Sequence, residues 1–524
     1  MAVVNTGSAS SGYTISTASE IYFTSQFSVI TNAGSGIDFS APLNSVDYIL
    51  AGTVIADGNG INISTNNASN NTKLVILPTG VIFADFDGID VNGDSGDLYV
   101  QGSLTGSTDA IEINGDNWDI EISGTATGNS DGLEFTGDAA RITISATGIL
   151  SGSFDGIDYA GNQALINNYG LVKGRTAGID VDGDDSIVSN SGEVFGQDGV
   201  TLNGLRGAVT NSGTISGTDV GLNVSSASFR IENHGTLSGG SAEALLVDGN
   251  LGVILNTGVI RSAYEFGAIN RTGDNSLIKN TGTIEGRVAI NGNQNELINT
   301  GTITDAISMI SVGGKITNRG VIEEQIFVGS DGFSIINAGE INGDILFSDG
   351  ENTYRGTGQV NGEVIGGAGA DKLIGGNSED TFRGGVGDDE LKGKAGDDSL
   401  SGGNNKDILI GGRGQDSLSG GNGFDLLNGG HDDDTLTGGK GQDTFQFNRT
   451  AGNDRITDFE NGIDRIDLRA FGFNENNYNG KIAPALSNAG NNTTFLDLSE
   501  LGGTGSVMIE GLSFSDADST DFIL

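Results

Sequence analysis

The chain has 524 residues, with 25 basic and 69 acidic side chains, and therefore a net charge of −44 at neutral pH. Such a charge argues against nucleic acid, anionic membrane surfaces and acidic polysaccharides as direct partners, unless divalent ions bridge them. The chain has no cysteine, which excludes a disulfide framework and thiol chemistry. Its 89 glycines, three prolines and regularly spaced apolar residues favour a solenoid of strands and turns over disorder.

The sequence shows no feature typical of a membrane protein. Residues 1–7 lack a basic segment followed by an apolar run, so we expect no cleavable signal peptide. No apolar run approaches the length of a transmembrane helix, so we expect no membrane insertion.

Residues 1–34 are predicted to form an N-terminal cap, and residues 35–365 a right-handed parallel β-helix. Two loosely repeated triplets support this prediction. One resembles Gly-Ile-Asp and begins at Gly36, Gly60, Gly88, Ala110, Gly132, Gly156 and Gly178. The other is Asn-x-Gly and begins at Asn190, Asn211, Asn233, Asn256, Asn280, Asn299, Asn318 and Asn337. A period of about 22 residues without a helical pattern predicts one coil per copy, with the asparagine amides stacked from coil to coil.

One column of this β-helix is strongly acidic. If the coils stack in register, one outward face carries Asp38, Asn62, Asp90, Glu112, Glu134, Asp158, Asp180, Thr201 and Asn223. Like charges about 5 Å apart on a sheet are unfavourable unless they are screened or bridged. The column is therefore either a calcium-mediated contact surface or a solvated face that resists aggregation.

Residues 366–446 are nine consecutive nonapeptides in register, the first being Gly-Gly-Ala-Gly-Ala-Asp-Lys-Leu-Ile. The sixth position is aspartate in every copy: Asp371, Asp380, Asp389, Asp398, Asp407, Asp416, Asp425, Asp434 and Asp443. The eighth is always large and apolar: Leu373, Phe382, Leu391, Leu400, Leu409, Leu418, Leu427, Leu436 and Phe445. Glycines at positions one, two and four allow a sharp turn that aims carbonyl and carboxylate oxygens at one point. Such an all-oxygen site suits a hard cation such as Ca²⁺.

This G-G-x-G-x-D-x-U-x pattern resembles the repeat block of RTX proteins, which are exported by type I secretion. We expect a calcium-bound parallel β-roll in which two nonapeptides complete one coil and repeats of equal parity stack about 4.8 Å apart. Placing one ion between each stacked pair of turns predicts about seven calcium ions. The predicted metal ligands are the nine aspartates and the turn glycines Gly367, Gly369, Gly385, Gly387, Gly396, Gly412, Gly414, Gly421, Gly423, Gly439 and Gly441.

A few residues depart from the nonapeptide pattern. Asn405 and Asp432 replace the glycine of position four and tolerate the left-handed region. Ser378 at position four and Lys394 at position two fit the turn less well. The metal sites built from those two turns are therefore the least expected.

Residues 447–524 are predicted to form a β-rich C-terminal cap that contains a type I secretion signal. Segments 453–459 and 462–468 are similar to the segment that closes the β-roll in serralysin-type proteases, and 493–498 and 507–512 are predicted as late strands. The chain ends Asp-Ser-Thr-Asp-Phe-Ile-Leu, which resembles the uncleaved C-terminal signal of type I substrates. This resemblance implies a type I secretion ABC transporter as a partner and a secreted, extracellular protein.

We predict no enzymatic activity. Parallel β-helices joined to RTX blocks occur in alginate epimerases and polysaccharide lyases, whose chemistry needs an acid–base or charge-neutralising side chain beside the sugar carboxylate. Lys73 is the only basic residue among the first 140, and His234 and His431 both lie in repeated turns. There is no H-E-x-x-H motif.

The sequence thus predicts a secreted, calcium-binding structural protein that self-associates at the cell surface. In this it resembles the RTX proteins of bacterial S-layers and biofilm matrices. One alternative is an adhesin-like module that binds a cell-surface glycan or another surface. A second alternative is a β-helix enzyme similar to polysaccharide lyases and epimerases.

Overall fold

The computed structural model describes residues 2–4, 8–9, 13–14, 20–24, 26, 28–31, 34–39, 47–64, 72–263, 267–329 and 331–524. The chain forms two compact units, residues 1–289 and residues 290–524. Both are built almost entirely of short β-strands, so the predicted all-β parallel solenoid is confirmed. Of the predicted cap over residues 1–34, the structure describes only part. The strands described there pair with those of the following coil, as Ala2 does with Ile21.

Each coil of the first unit contributes one short strand to each of three parallel sheets. The first sheet contains Ala2–Val4, Glu20–Phe23, Asp47–Leu50, Thr72–Ile76, Gly96–Val100, Trp118–Ile122, Arg141–Ile144, Leu165–Asn168, Ile187–Asn190, Gly207–Asn211, Phe229–Asn233, Val253–Asn256 and Leu277–Asn280. The second contains Ser8–Ala9, Ser28–Ile30, Thr53–Ala56, Val81–Ala84, Ser103–Gly106, Thr125–Gly128, Ile149–Ser151, Leu171–Lys173, Glu193–Gly196, Thr214–Gly217, Thr236–Gly239, Val259–Ser262 and Thr283–Glu285. The third contains Tyr13–Thr14, Ile37–Phe39, Ile61–Ser64, Ile89–Asn92, Ile111–Asn114, Leu133–Thr136, Ile157–Ala160, Ala177–Asp182, Asp198–Gly204, Leu222–Ser226, Leu245–Asp248, Ile269–Thr272 and Val288–Asn291, whose last two residues belong to the second unit.

Alternation along each strand decides which side chains fill the interior. In Ile89–Asn92, Ile89 and Val91 are buried, whereas Asp90 is half-buried and Asn92 is exposed. Because successive side chains of a strand point to opposite faces, the three sheets turn their apolar rows inward. Ile89 pairs in register with Ile61 of the preceding coil and with Ile111 of the next. The core is therefore a stack of aliphatic layers.

The predicted asparagine ladder is confirmed, and it lies at the end of the first-sheet strands. Asn211 Nδ2 donates to Asn233 Oδ1 at 2.8 Å and to the Thr236 carbonyl at 3.0 Å. The same pair of bonds links coil to coil through Asn168, Asn190, Asn211, Asn233, Asn256 and Asn280. All of these side chains are buried. Because an amide both donates and accepts, each one satisfies its neighbour without another group.

The second unit begins with three-strand coils and continues with two-strand coils. Its first sheet contains Glu296–Asn299, Lys315–Asn318, Ser334–Asn337, Thr353–Gly356, Lys372–Ile374, Glu390–Ala395, Ile408–Arg413, Leu426–His431, Thr444–Gln446, Arg465–Asp467 and Phe522–Ile523. Its second sheet ends early, with Thr302–Ile303, Val321–Ile322, Glu340–Ile341 and Gln359–Val360. Its third contains Ile307–Ile310, Ile326–Val328, Ile345–Phe347, Val364–Ala368, Thr381–Val386, Ser399–Asn404, Ser417–Gly423, Thr435–Gly441 and Asn453–Ile456.

The loss of the second-sheet strand shortens the coil. Asn318 contacts Asn337, 19 residues later, in the three-strand part, whereas Asp389 contacts Asp407, 18 residues later, in the two-strand part. Two nonapeptides therefore make one coil, as predicted. The eighth-position residues are all buried and pair between coils, as Leu391 does with Leu409.

After the last two-strand coils, the chain forms an antiparallel sheet and short helices. The predicted late strands are present as Thr493–Asp497 and Ser506–Glu510, which run antiparallel, with Leu486–Gly490 beside the first of them. The helices are the 3-10 turns Arg469–Phe471, Glu475–Asn477, Ser499–Leu501 and Ser519–Asp521, a π-turn Tyr478–Ile482 and an α-turn Ala483–Ala485. No helix in the described residues is long and apolar enough to cross a membrane.

Candidate metal centre

The sixth-position aspartates form two stacked columns, one from the odd repeats and one from the even repeats. The Asp371 N–H donates to Asp389 Oδ1 at 2.8 Å, and the Asp389 N–H donates to Asp407 Oδ1 at 2.9 Å. The same bond recurs along both columns. The nine side chains are at most 4 % exposed. One carboxylate oxygen of each aspartate thus holds the adjacent coil in register.

The other carboxylate oxygen is left without a partner. Oδ2 is fully buried and accepts no hydrogen bond in Asp371, Asp389, Asp398, Asp407, Asp416, Asp425, Asp434 and Asp443. A buried anionic oxygen without a partner is strongly unfavourable, and native proteins contain few of them. Eight at one repeated position indicate a site for a cation.

The raised pKa values of these carboxyls also show that their negative charge lacks a compensating partner. Burial raises the pKa of Asp434 to about 8 and that of Asp407 to about 7. The N–H of the adjacent coil lowers both pKa values, and neighbouring aspartates of the column raise them. Burial also raises the pKa of Asp425 to about 6. Without a cation, a fully ionised column at neutral pH would therefore be unstable.

The glycines of the turn make room for this geometry. A Cβ at the first-position Gly384 would lie 2.3 Å from Asp389 Oδ2, and one at Gly411 would lie 2.1 Å from Asp416 Oδ2. Gly423 has no left-handed φ, but a Cβ there would lie 1.6 Å from the Asn405 carbonyl oxygen. The other predicted turn glycines all have left-handed φ: Gly367, Gly369, Gly385, Gly387, Gly396, Gly412, Gly414, Gly421, Gly439 and Gly441.

These residues fit Ca²⁺. The donors are carboxylate oxygens and the carbonyl oxygens of glycine-rich turns, with no nitrogen or sulfur ligand, which is the set preferred by a hard cation. Bound calcium supplies the positive charge that the ionised columns need. The aspartates would contribute Oδ2, while Oδ1 keeps its bond to the adjacent coil. The metal ligands predicted from the sequence remain a prediction at the level of individual residues.

One turn has a different arrangement. In repeat 375–383, the Gly376 N–H donates to Asp380 Oδ2 at 2.9 Å, and Gly376 is the only second-position residue whose φ is not left-handed. Lys394, with a φ of 86°, donates from Nζ to the Gly375 carbonyl at 2.5 Å. Burial raises the pKa of Asp380, and the Gly376 N–H and the Lys394 charge lower it. This turn thus satisfies its carboxylate with groups of the chain itself.

Both columns extend beyond the nonapeptides, which the sequence prediction missed. The Asp434 N–H donates to Asp454 Oδ1 at 3.0 Å, and the Asp443 N–H donates to Asp464 Oδ1 at 2.9 Å. Both added aspartates are buried. Burial raises the pKa of Asp454 to about 7 and that of Asp464 to about 6. The signal was the Asp-x-Ile triplet that each begins, which keeps positions six and eight without the glycines.

The acidic column predicted on the first unit is in register on the third sheet. Asp90 pairs with Glu112, Glu112 with Glu134, Glu134 with Asp158, and Asp158 with Asp180. These side chains are half-buried rather than fully exposed on the outward face. Burial raises the pKa of Glu134 and that of Asp180 to about 7.

A second acidic column, which the sequence prediction missed, lies in the turn before these strands. The Asp131 N–H donates to Asp109 Oδ1 at 2.8 Å, and the Asp155 N–H donates to Asp131 Oδ1 at 2.7 Å. Together the columns form two groups whose carboxylate oxygens lie within 4.8 Å of one another: Asp87, Asp109 and Glu112, and Asp109, Asp131 and Glu134. The signal was the aspartate directly before four of the seven Gly-Ile-Asp-like triplets: Asp87, Asp109, Asp131 and Asp155.

Comparison with known proteins agrees with the geometry of the aspartate columns. The family model for the RTX calcium-binding nonapeptide repeat (4 copies) matches residues 357–391, 383–418 and 414–445. Among solved structures, a subunit of the mannuronan C5-epimerase from Azotobacter vinelandii is 34 % identical over 24 % of this chain and 77 % of that one, with a TM-score of 0.21. No curated protein matches the chain. On the strength of its nonapeptides, the chain belongs to the RTX proteins, whose repeats bind Ca²⁺.

Proposed function

We propose that this protein is a secreted, non-enzymatic structural protein whose copies associate at the cell surface in the presence of calcium. The observation that carries the proposal is the pair of buried aspartate columns with eight unpartnered oxygens. Because such a site supplies folding free energy only when metal is bound, the β-roll folds where calcium is plentiful. RTX repeats occur in secreted proteins, which supports an extracellular location.

The number of calcium ions follows from the stacked pairs of turns. Asp454 and Asp464 lengthen the two columns by one residue each, whereas the turn of Asp380 is satisfied by Gly376 and Lys394. One ion between each remaining stacked pair of turns gives about eight ions, close to the seven expected from the nonapeptides alone.

Export by a type I ABC transporter is part of the proposal. The terminal strand Phe522–Ile523 pairs with Arg465–Asp467, beside Asp464 at the end of the odd aspartate column, and Asp521 is fully buried. If low calcium keeps the β-roll unfolded in the cytoplasm, this apolar terminus has no strand to pair with and is open to recognition. Calcium outside the cell would then fold and bury it.

The described residues offer little for catalysis. His234 is exposed and stacks on Thr257 in a repeated turn, with Nδ1 and the hydroxyl oxygen 2.7 Å apart, and His431 is exposed in a nonapeptide turn. The carboxylate groups around Asp109 belong to a periodic column, which singles out no acid–base pair. These observations support a non-enzymatic role.

The charge of the protein supports a self-association that depends on calcium, because divalent ions reduce the repulsion between copies. With a net charge of −44, copies should repel one another at low ionic strength, and calcium bound to acidic columns reduces that repulsion. We expect sheets or filaments in light scattering and electron microscopy across a calcium titration, and their loss in chelator. Magnesium at equal ionic strength is the control. A monodisperse monomer at millimolar calcium and high protein concentration would contradict assembly and favour the adhesin alternative.

A further inference from the structure

A groove on the first unit gathers basic and aromatic side chains in an otherwise acidic protein. It has a volume of about 740 Å³ and crosses four successive coils at the corner after the second sheet. Its lining includes Phe154, Lys173, Arg175, Phe195 and Gln197. Lys173 and Arg175 are exposed, and neither forms an ion pair within the described residues. They are two of the 25 basic residues in a chain that has 69 acidic ones.

The floor of the groove is formed by glycines, and its walls are formed by aromatic rings. The floor is a column of glycines at which no side chain fits, since a Cβ at Gly174 would lie 1.7 Å from the Ala177 carbonyl oxygen and one at Gly196 would lie 2.0 Å from that of Asp198. The walls are the ring of Phe154, which is 51 % exposed, and the ring of Phe195, which is 40 % exposed. Apolar ring surfaces left open beside exposed cations suit a ligand with one apolar and one polar face.

The cations lie beside the aromatic rings along the groove. The Arg175 guanidinium lies over the Phe154 ring, 5.6 Å from its centroid. Lys173 pairs in register with Phe195, so its side chain emerges from the same outer face one coil earlier. Gln197 follows Arg175 in the stack, because the Gln197 N–H donates to the Arg175 carbonyl at 2.9 Å. The groove therefore places Phe154, then Lys173 and Arg175, then Phe195 and Gln197 on three successive coils about 4.8 Å apart.

We propose that this groove binds an acidic polysaccharide, with Lys173 and Arg175, which share one coil, on the carboxylate of one sugar and Phe154 and Phe195 against the apolar faces of the sugars on either side. The coil spacing is close to the length of one sugar unit in an extended chain, so successive coils meet successive sugars. Arg175 can hold a carboxylate through two parallel hydrogen bonds. The net charge of −44, which argues against an acidic polysaccharide as a direct partner of the protein as a whole, acts weakly at this groove because charges beyond about 8 Å are screened at physiological ionic strength.

This inference rests on the proposed location outside the cell but not on assembly. The test is calorimetric titration of the full chain, at one fixed calcium concentration, with a uronic-acid hexasaccharide and with a neutral hexasaccharide of the same linkage. We expect the acidic probe to bind and the neutral probe to bind at least about tenfold more weakly, since each charged hydrogen bond contributes appreciably. The double variant K173A/R175A should lose at least about tenfold in affinity for the acidic probe. The matched control is R261A, because Arg261 is an exposed arginine in the same column as Lys173, four coils further along.

Three results would overturn the proposal. Unchanged affinity in K173A/R175A would show that calcium bridges the sugar to the acidic columns instead. Equal binding of both probes would show that the rings act without the cations. If neither probe binds, the groove is not a polysaccharide-binding site. Because all variants are exposed, circular dichroism with calcium should be unchanged. Assembly is scored separately, so failure here is distinguishable from failure of the proposed function.

Discussion

Two ladders of buried polar side chains run through this protein, and they differ in whether their side chains satisfy one another. In the first unit, Asn190 donates from Nδ2 to Asn211 Oδ1 at 2.8 Å and to the Thr214 carbonyl at 3.0 Å, so the ladder satisfies itself. In the second unit, Asp407 Oδ1 accepts the Asp389 N–H at 2.9 Å, but its Oδ2 has no partner. An amide is both donor and acceptor, whereas a carboxylate only accepts. The same stacking principle thus gives one metal-free ladder and one that requires a cation.

The largest effect should come from placing a carboxylate in the metal-free ladder. Asn211→Asp removes both donors of Asn211 and sets a carboxylate against Asn233 Oδ1 and the Thr236 carbonyl. We expect the free energy of unfolding of the first unit to fall by about 3–5 kcal/mol, because an uncompensated charge is buried. The urea midpoint of that unit, measured with calcium present, tests this. The matched control is Ser212→Asp, at an exposed position, which should change stability by about 0.5 kcal/mol or less. Equal midpoints for both variants would contradict the expectation.

The next effect is a dependence on pH that the aspartate columns should show. Burial raises the pKa of Asp434 to about 8 and that of Asp407 to about 7 in the folded roll, above about 3.9 in the unfolded chain. A group with a raised folded pKa stabilises the fold below its unfolded pKa, and this stabilisation is lost as pH rises through the folded pKa. Protein freed of calcium by gel filtration should therefore retain more β-structure at pH 5 than at pH 8 by circular dichroism.

With calcium present, the trend should reverse, since protons compete with the metal for the same oxygens. Asp434→Asn should flatten the calcium-free profile, while the exposed Asp433→Asn should not. A calcium-free roll that is more structured at pH 8 than at pH 5 would show that its carboxylates are satisfied in some other way.

The smallest effect concerns the turn in which a lysine takes the place of an ion. The variant S378G/K394G restores glycine at position four of one turn and at position two of its stacked neighbour, and it removes the ammonium from the Gly375 carbonyl. We expect native mass spectrometry to find one more bound calcium than in the parent protein. Lys440→Ala, which removes a charge from another turn, is the control and should leave the count unchanged. An unchanged count in S378G/K394G would mean that the turn of Asp380 already holds an ion.

Most of the fold could be predicted from the sequence, because each copy of a repeat carries the same residues at the same structural positions. The nonapeptides gave the coil length, the inward Leu and Phe residues and the buried aspartates, and the Asn-x-Gly triplets gave the amide ladder. The second sheet ends at Val360, just before residue 366, where the nonapeptides were predicted to begin. Asp454 and Asp464 were not predicted, because their segments keep the aspartate of position six but not the glycines on which the pattern depends.

The groove residues were also missed at the level of the sequence. Phe154, Lys173, Arg175 and Phe195 lie on three different coils and follow no repeat, so only the stacking of the coils brings them together. Lys394 was recognised as a departure from the pattern, but its contact with the Gly375 carbonyl depends on the direction of a long side chain. The periodicity of the sequence predicts the features that every coil shares. It does not predict the groove or the Lys394 contact, because their residues depart from the repeat.

Hydrogen exchange followed by mass spectrometry on the full chain, with calcium and in chelator at pH 7.5, compares the two ladders most directly. Residues 165–263 contain most of the amide ladder, and residues 381–467 contain most of the aspartate columns. We expect protection of 165–263 to be the same in both conditions, because its buried polar groups satisfy one another. Protection of 381–467 should fall at least about 100-fold in chelator, toward that of an unfolded segment. Equal protection of 381–467 in both conditions, or equal loss in both segments, would contradict the difference between a self-satisfied ladder and one that requires calcium.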